Sequence, residues 1–275
     1  MKKFKADTHT HTCYSHDAFV SPKDMVETAR EMGFDFYGIS DHFDYDVDLT
    51  KLSETMVARM RAQDPEKYFH NLRHLQEDYA GVVNVLVGVE FAFSELDSVK
   101  AEYLAVYEKY QPDFVINSIH CQDGVDYCMR SYPDDKKTTY KEYLRLIRAS
   151  LDTPYPYDIV GHIGYIMRYV PFENVEISLE EFGEEIDDIL TTIIQKGKIL
   201  EVNTSSKQLE TKFLPTESIL RRYYELGGRK VSFGSDAHFQ SRVGEKWDLV
   251  VETLKKIGFQ YITVPCKGEH IQVEI

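Results

Sequence analysis

The stretch Phe4-Lys5-Ala6-Asp7-Thr8-His9-Thr10-His11, followed shortly by Ser21-Pro22-Lys23-Asp24, decides the fold. Residues 4–8 read as a short strand. Ser21 is then an N-cap, Pro22 occupies the first helical position, Asp24 adds an acidic residue to the first turn, and Gly33 marks the stop of a helix over residues 22–32. One β-strand followed by one α-helix is the unit from which parallel sheets are built.

Working outward, the same alternation recurs along the chain. Strands are expected at residues 4–8, 36–40, 83–89, 114–119, 158–161, 199–203 and 231–234. Helices are expected near 65–79, 99–110, 138–150, 179–196, 216–226 and 247–257. Residues 260–275 read as one or two terminal strands, with a hairpin turn at Lys267-Gly268. Seven βα units in 275 residues predict an α/β protein with a TIM-like (β/α)7 barrel, residues 1–275 forming one domain.

Composition narrows the function. The formal net charge of -14 opposes binding to polyanions, so no nucleic-acid partner is expected. No apolar run approaches the roughly 18 residues of a membrane span, and no secretory signal follows Lys2, Lys3 and Lys5, so a cytoplasmic protein is expected. Cys13, Cys121, Cys128 and Cys266 form no CxxC pair and read as reduced thiols.

The chemistry sits where the strands end. His9 and His11 are two residues apart, so on a strand both imidazoles point the same way and can reach one ion. His42, Glu90, His120, His162, Asp236 and His238 each follow or close another expected strand, and in a parallel barrel all those ends surround one mouth. A single buried His or Glu is more often a hydrogen-bonded core residue than a ligand. Six of the ten histidines at strand ends of one polarity need a common cause, and metal binding supplies it. Imidazole with carboxylate suits Zn, Mn or Fe better than Ca or Mg. His70, His74 and His270 are read as solvated, and Cys13 as a bystander.

At these residues the chain resembles the polymerase and histidinol phosphatase (PHP) superfamily, and most closely its branch acting on L-histidinol phosphate. The resemblance runs through Asp7-Thr8-His9-Thr10-His11-Thr12, Ser15-His16-Asp17-Ala18, Ser40-Asp41-His42, Gly88-Val89-Glu90, Ser118-Ile119-His120, Gly161-His162-Ile163-Gly164, Glu201-Val202-Asn203-Thr204-Ser205 and Gly234-Ser235-Asp236-Ala237-His238. It implies a distorted seven-unit barrel holding two to three divalent transition-metal ions at the C-terminal mouth. Carried over by motif, one ion falls to His9, His11, Glu90 and Asp236, a second to Glu90, His120 and His162, and a third to Asp17, His42 and His238, with Asp17 preferred to His16. Asp41 is read as orienting a ligating imidazole.

The implied reaction is hydrolysis of L-histidinol phosphate, a small phosphate monoester, by a hydroxide between two metals. Arg168, in Gly164-Tyr165-Ile166-Met167-Arg168-Tyr169-Val170-Pro171, is expected to grip the phosphate, with Asn203, Lys207 and Arg242 as further substrate contacts. Lys207 stands where relatives often carry an arginine. His238, His42 and a metal-bound water are candidates for protonating the leaving group. The rival readings are a phosphoesterase acting on nucleotides, an amidohydrolase, or a metal-binding module without catalysis.

Overall fold

The computed structural model describes residues 4–130, 132, 135–206 and 211–275, so Lys207 lies outside the described residues. In chain order the strands are β1 (Ala6–Asp7), β2 (Phe36–Ile39), β3 (His42–Phe43), β4 (Asn84–Ala92), β5 (Phe114–Ser118), β6 (Cys121–Gln122), β7 (Val125–Asp126), β8 (Ile159–Val160), β9 (Ile199–Asn203), β10 (Val231–Gly234), β11 (Tyr261–Cys266) and β12 (Glu269–Glu274). The helices are α1 (Pro22–Glu31), α2 (Glu54–Arg61), α3 (Pro65–Asp78), α4 (Asp97–Tyr110), α5 (Lys136–Ser150), α6 (Leu179–Gln195), α7 (Glu217–Glu225) and α8 (Trp247–Ile257).

The seven expected strands form one parallel sheet in the order β1-β2-β4-β5-β8-β9-β10, with the short β3 pairing beside β4. The first and last strands meet: Thr8 N donates to Phe233 O at 3.0 Å, Asp236 N to His9 O at 2.8 Å and His11 N to Ala237 O at 2.9 Å. These bonds join the sheet to itself around a TIM-like barrel, and they place His9, His11 and Asp236 side by side at the seam.

The local signals act as read. The Ser21 side chain accepts from Asp24 N, Pro22 opens α1, and Met25, Val26 and Ala29 turn inward. Helix α2 was not expected. It buries none of its residues fully, and its apolar face is short, only Met56, Val57 and Met60 and half-buried, although Ser53 caps it by accepting from Met56 N.

The far end of the barrel is filled rather than open. Ala6, Leu86, Phe114, Ile116, Ile159 and Ile199 pack with Val264 and Val273 of the expected terminal hairpin, β11–β12. Gly88 makes room for this layer, because a Cβ there would lie 2.2 Å from the Phe114 ring. Among the described residues no helix is long and apolar enough to cross a membrane.

Candidate metal centre

The strands run parallel, so the residues that end them converge on one mouth. Among the described residues their donor atoms gather into four groups: His9, His11 and Glu90; His9, His162 and Asp236; His42, Glu90 and His120; and His11, His42 and His238. Glu90 lies at the centre. Its Oε1 is 2.9 Å from His162 Nε2 and 3.2 Å from His120 Nε2, while Oε2 is 3.3 Å from His9 Nε2 and 2.8 Å from His42 Nδ1.

Residues around this cluster aim its imidazoles. His9 Nδ1 contacts Glu201 Oε1 at 2.5 Å, which turns Nε2 to the centre. The other Glu201 oxygen accepts from His162 N at 2.6 Å. Gly234 permits that carboxylate, since a Cβ there would sit 2.2 Å from Glu201 Oε1. His11 Nδ1 contacts Ser15 Oγ at 3.1 Å, and Ser15 in turn donates to Asp41 Oδ1 at 2.6 Å. Asp41 thus steadies an imidazole through Ser15 rather than by direct contact. His120 Nδ1 lies 3.3 Å from Asp44 Oδ1, and Asp44 also faces His16 at 3.4 Å.

The donor set fits divalent cations. Imidazole nitrogens face each other, His9 Nε2 to His11 Nε2 at 3.1 Å and His120 Nε2 to His162 Nε2 at 3.2 Å. His42 Nδ1 and Glu90 Oε2 are 2.8 Å apart without hydrogen-bond alignment, and both are buried. Donors that approach one another without pairing are arranged for a shared cation, and the mixture of imidazole with carboxylate suits a transition metal. Burial pushes the Glu90 carboxyl up, but the neighbouring His9, His120 and His42 hold it well below the usual carboxylate range. Burial likewise lowers His9, while Glu201, Glu90 and Asp236 raise it well above an ordinary histidine.

The groups cut across the expected division among three ions: His162 falls with His9 and Asp236, and His11 with His42 and His238. His42 reaches Glu90 through Nδ1 as well as facing Asp17 Oδ1 with Nε2 at 3.7 Å, so it touches the second set and the third. Asp17 joins none of the four groups but lies 3.0 Å from His238 Nε2, whereas His16 turns to Asp44. His70 and His74 are exposed on α3, and Cys13 is an exposed free thiol.

A cavity of about 250 Å³ opens over the cluster, lined by His42, His120, His162, Asp236 and His238 together with Arg168, Arg242, Tyr165, Tyr169 and Phe239. Arg168 is buried, with a side-chain exposure of 3%. Its Nη2 donates to Asn203 Oδ1 at 3.2 Å and Asp236 Oδ2 at 3.3 Å, and its buried Nε has no partner among the described residues. Asn203 lies beneath the cavity rather than in its lining. It is fully buried, and its amide serves Arg168, Glu201, Asp236 and Ser205 N. Arg242 lines the cavity with its Nε donating to Glu245 Oε2 at 2.7 Å.

Glu201 and Asp44 were not singled out from the sequence as site residues. Both carry a legible signal: Glu201 shares a strand face with Asn203, and Asp44 stands two residues after His42.

The sequence model of the PHP domain family matches residues 7–205. A protein named "Probable histidinol-phosphatase" from Clostridium acetobutylicum is 28% identical over 86% of this chain and 88% of its own length. The histidinol-phosphatase of Lactococcus lactis is 25% identical over 93% of this chain and 92% of its own. The crystal structure of the L. lactis histidinol phosphate phosphatase, complexed with Zn, L-histidinol and phosphate, superposes with a TM-score of 0.82 at 23% identity. It covers 97% of this chain and 98% of that one.

Proposed function

The chain belongs to the PHP domain family, and from that premise we propose that it is a histidinol-phosphatase, hydrolysing L-histidinol phosphate to L-histidinol and phosphate. Residues 1–275 serve as one cytoplasmic catalytic domain of a histidine biosynthetic pathway. Two to three Zn, Mn or Fe ions are held by His9, His11, Asp17, His42, Glu90, His120, His162, Asp236 and His238. When bound, such cations activate water at neutral pH and neutralise charge on the phosphoryl oxygens.

The observation that carries the phosphate half of this reading is Arg168. A guanidinium on the wall of a cavity over a histidine and carboxylate cluster offers a forked donor to an oxyanion. Asn203 and Asp236 hold its Nη2, so the guanidinium meets substrate already oriented. Arg242 adds a second cation on the cavity wall. His238 donates its Nδ1 proton to Asp236 O at 3.0 Å, which directs Nε2 toward Asp17 and the cavity. The relatives' names carry the histidinol half.

A panel of phosphate monoesters, including L-histidinol phosphate and nucleoside monophosphates, tests the reading with metal-replete protein. Preference for L-histidinol phosphate is expected. Preference for nucleotides would move the enzyme to another substrate class, and no phosphate release from any ester would end the catalytic reading.

A further inference from the structure

The ligand cluster is graded in exposure. His9, His11 and Glu90 are 0% exposed in their side chains, while His42 is 10%, His238 19% and Asp17 40%. The solvent-facing side of the cavity is therefore bounded by Asp17 and His238. Arg168 sits on the buried side with Asp236. An ester whose phosphate is gripped by Arg168 must direct its organic part away from the buried ligands, past Asp17 and His238.

Three rings other than histidine line that cavity: Tyr165, Tyr169 and Phe239. Tyr165 is engaged by His120 at 5.1 Å, His162 at 5.1 Å and the Arg168 guanidinium at 4.9 Å. Tyr169 stands edge-on to Tyr165 at 5.2 Å. Phe239 directly follows His238, is 52% exposed, and has no ring or cation against it among the described residues. Phe19 offers a contrast: it is 70% exposed too, but Arg59 covers its face at 4.2 Å. Phe239 is also held in place, because its carbonyl accepts from Arg242 N at 3.0 Å and Gln240 bonds to α1 through Thr28 Oγ1 at 2.9 Å. An exposed, anchored, uncovered ring at the mouth of a polar cavity is a platform for a flat partner.

We propose that Phe239 is a specificity-determining residue that stacks against a planar, nitrogen-containing ring on the leaving group of the phosphate ester. This rests on the phosphatase reading above and adds the means by which the organic part is recognised. The ring of the leaving group covers the apolar face that water otherwise wets. Its positive charge, where protonated, also meets the negative face of the phenyl group. Phe239 offers neither a metal-ligating atom nor a charge for the phosphate, so its contribution appears in the choice between esters rather than in the chemistry they share.

The test compares two amine-bearing monoesters, L-histidinol phosphate with its ring and phosphoethanolamine without one, on wild type, Phe239→Ala and Phe239→Trp. Replacing the ring with Ala is expected to lower kcat/KM for L-histidinol phosphate by about tenfold, mostly through KM, and to lower that for phosphoethanolamine by no more than about twofold. Inhibition by the product L-histidinol should weaken in parallel, and Phe239→Trp should keep both the preference and the inhibition. Equal losses on the two esters, or a preference left intact in Phe239→Ala, overturns the role of Phe239 alone. A wild type that does not prefer L-histidinol phosphate to phosphoethanolamine overturns the substrate reading, and this inference with it.

Discussion

His9 and Glu201, 192 residues apart in the chain, meet at 2.5 Å between Nδ1 and Oε1, with both side chains buried. The contact fixes which nitrogen of His9 faces the cluster, so a residue that touches no candidate ion decides how a ligand is presented. Replacing Glu201 with Gln should therefore weaken metal affinity by roughly 10- to 100-fold while the barrel stays folded. Metal titration of the stripped variant checks this, and activity should return at raised metal concentration. An affinity equal to that of wild type would make the contact structural only.

His120 should behave as a ligand, not as core. It stands two residues beyond β5 with Nε2 between Glu90 and His162. His120→Ala is expected to abolish hydrolysis while the barrel stays folded at room temperature, as read by circular dichroism. A variant that unfolds at room temperature would return this histidine to the core.

Arg168→Ala should lower kcat/KM by roughly ten- to a hundredfold, because a hydrogen bond to a charged group contributes about 1.5–3 kcal/mol. Arg168→Lys recovers only part, since a point charge replaces a fork. Asp236 also loses its partner in these variants, so their metal content is measured beside the kinetics. Rates within about twofold of wild type would remove Arg168 from the phosphate site.

Protons should compete with metal for the donors of the cluster. Burial lowers His42, but Asp44, Glu90 and Asp17 outweigh it and push the group up to about 10. His120 is raised well above its usual value by Glu90 and Asp44 against the effect of burial. A raised histidine stabilises the metal-free fold fully below its ordinary value of 6.5, and for His42 that contribution fades as pH rises toward about 10. Metal binding needs the neutral imidazole, so loading at neutral pH releases protons and affinity falls as pH falls. Calorimetry in two buffers of different ionisation enthalpy reads the proton count directly, and zero release contradicts the expectation.

Much of this arrangement is legible in the sequence because each strand writes its own ending. The β-rich runs 199–203 and 231–234 coincide with β9 and β10, and the Asp236 and His238 that follow β10 announce the mouth. Helix α2 is hard to read by the same logic, since it spans eight residues and its apolar face is only Met56, Val57 and Met60, none fully buried. Glu201 and Asp44 escape for another reason. A carboxylate that orients a ligand has no spacing of its own, and only the closed sheet brings Glu201 to His9. The double contact of His42 is likewise a product of packing: residue type suggests a ligand, but which ring nitrogen faces which carboxylate depends on how β3 lies against β4.

The most direct measurement is phosphate release from L-histidinol phosphate by one preparation assayed three ways: as purified without chelator, stripped, and reloaded separately with Zn, Mn or Fe. The protein as purified should carry two to three ions per chain and be active, stripping should abolish turnover, and at least one metal should restore it. Turnover undiminished by complete stripping, or no turnover with any metal despite full occupancy, would contradict a metal-dependent histidinol-phosphatase.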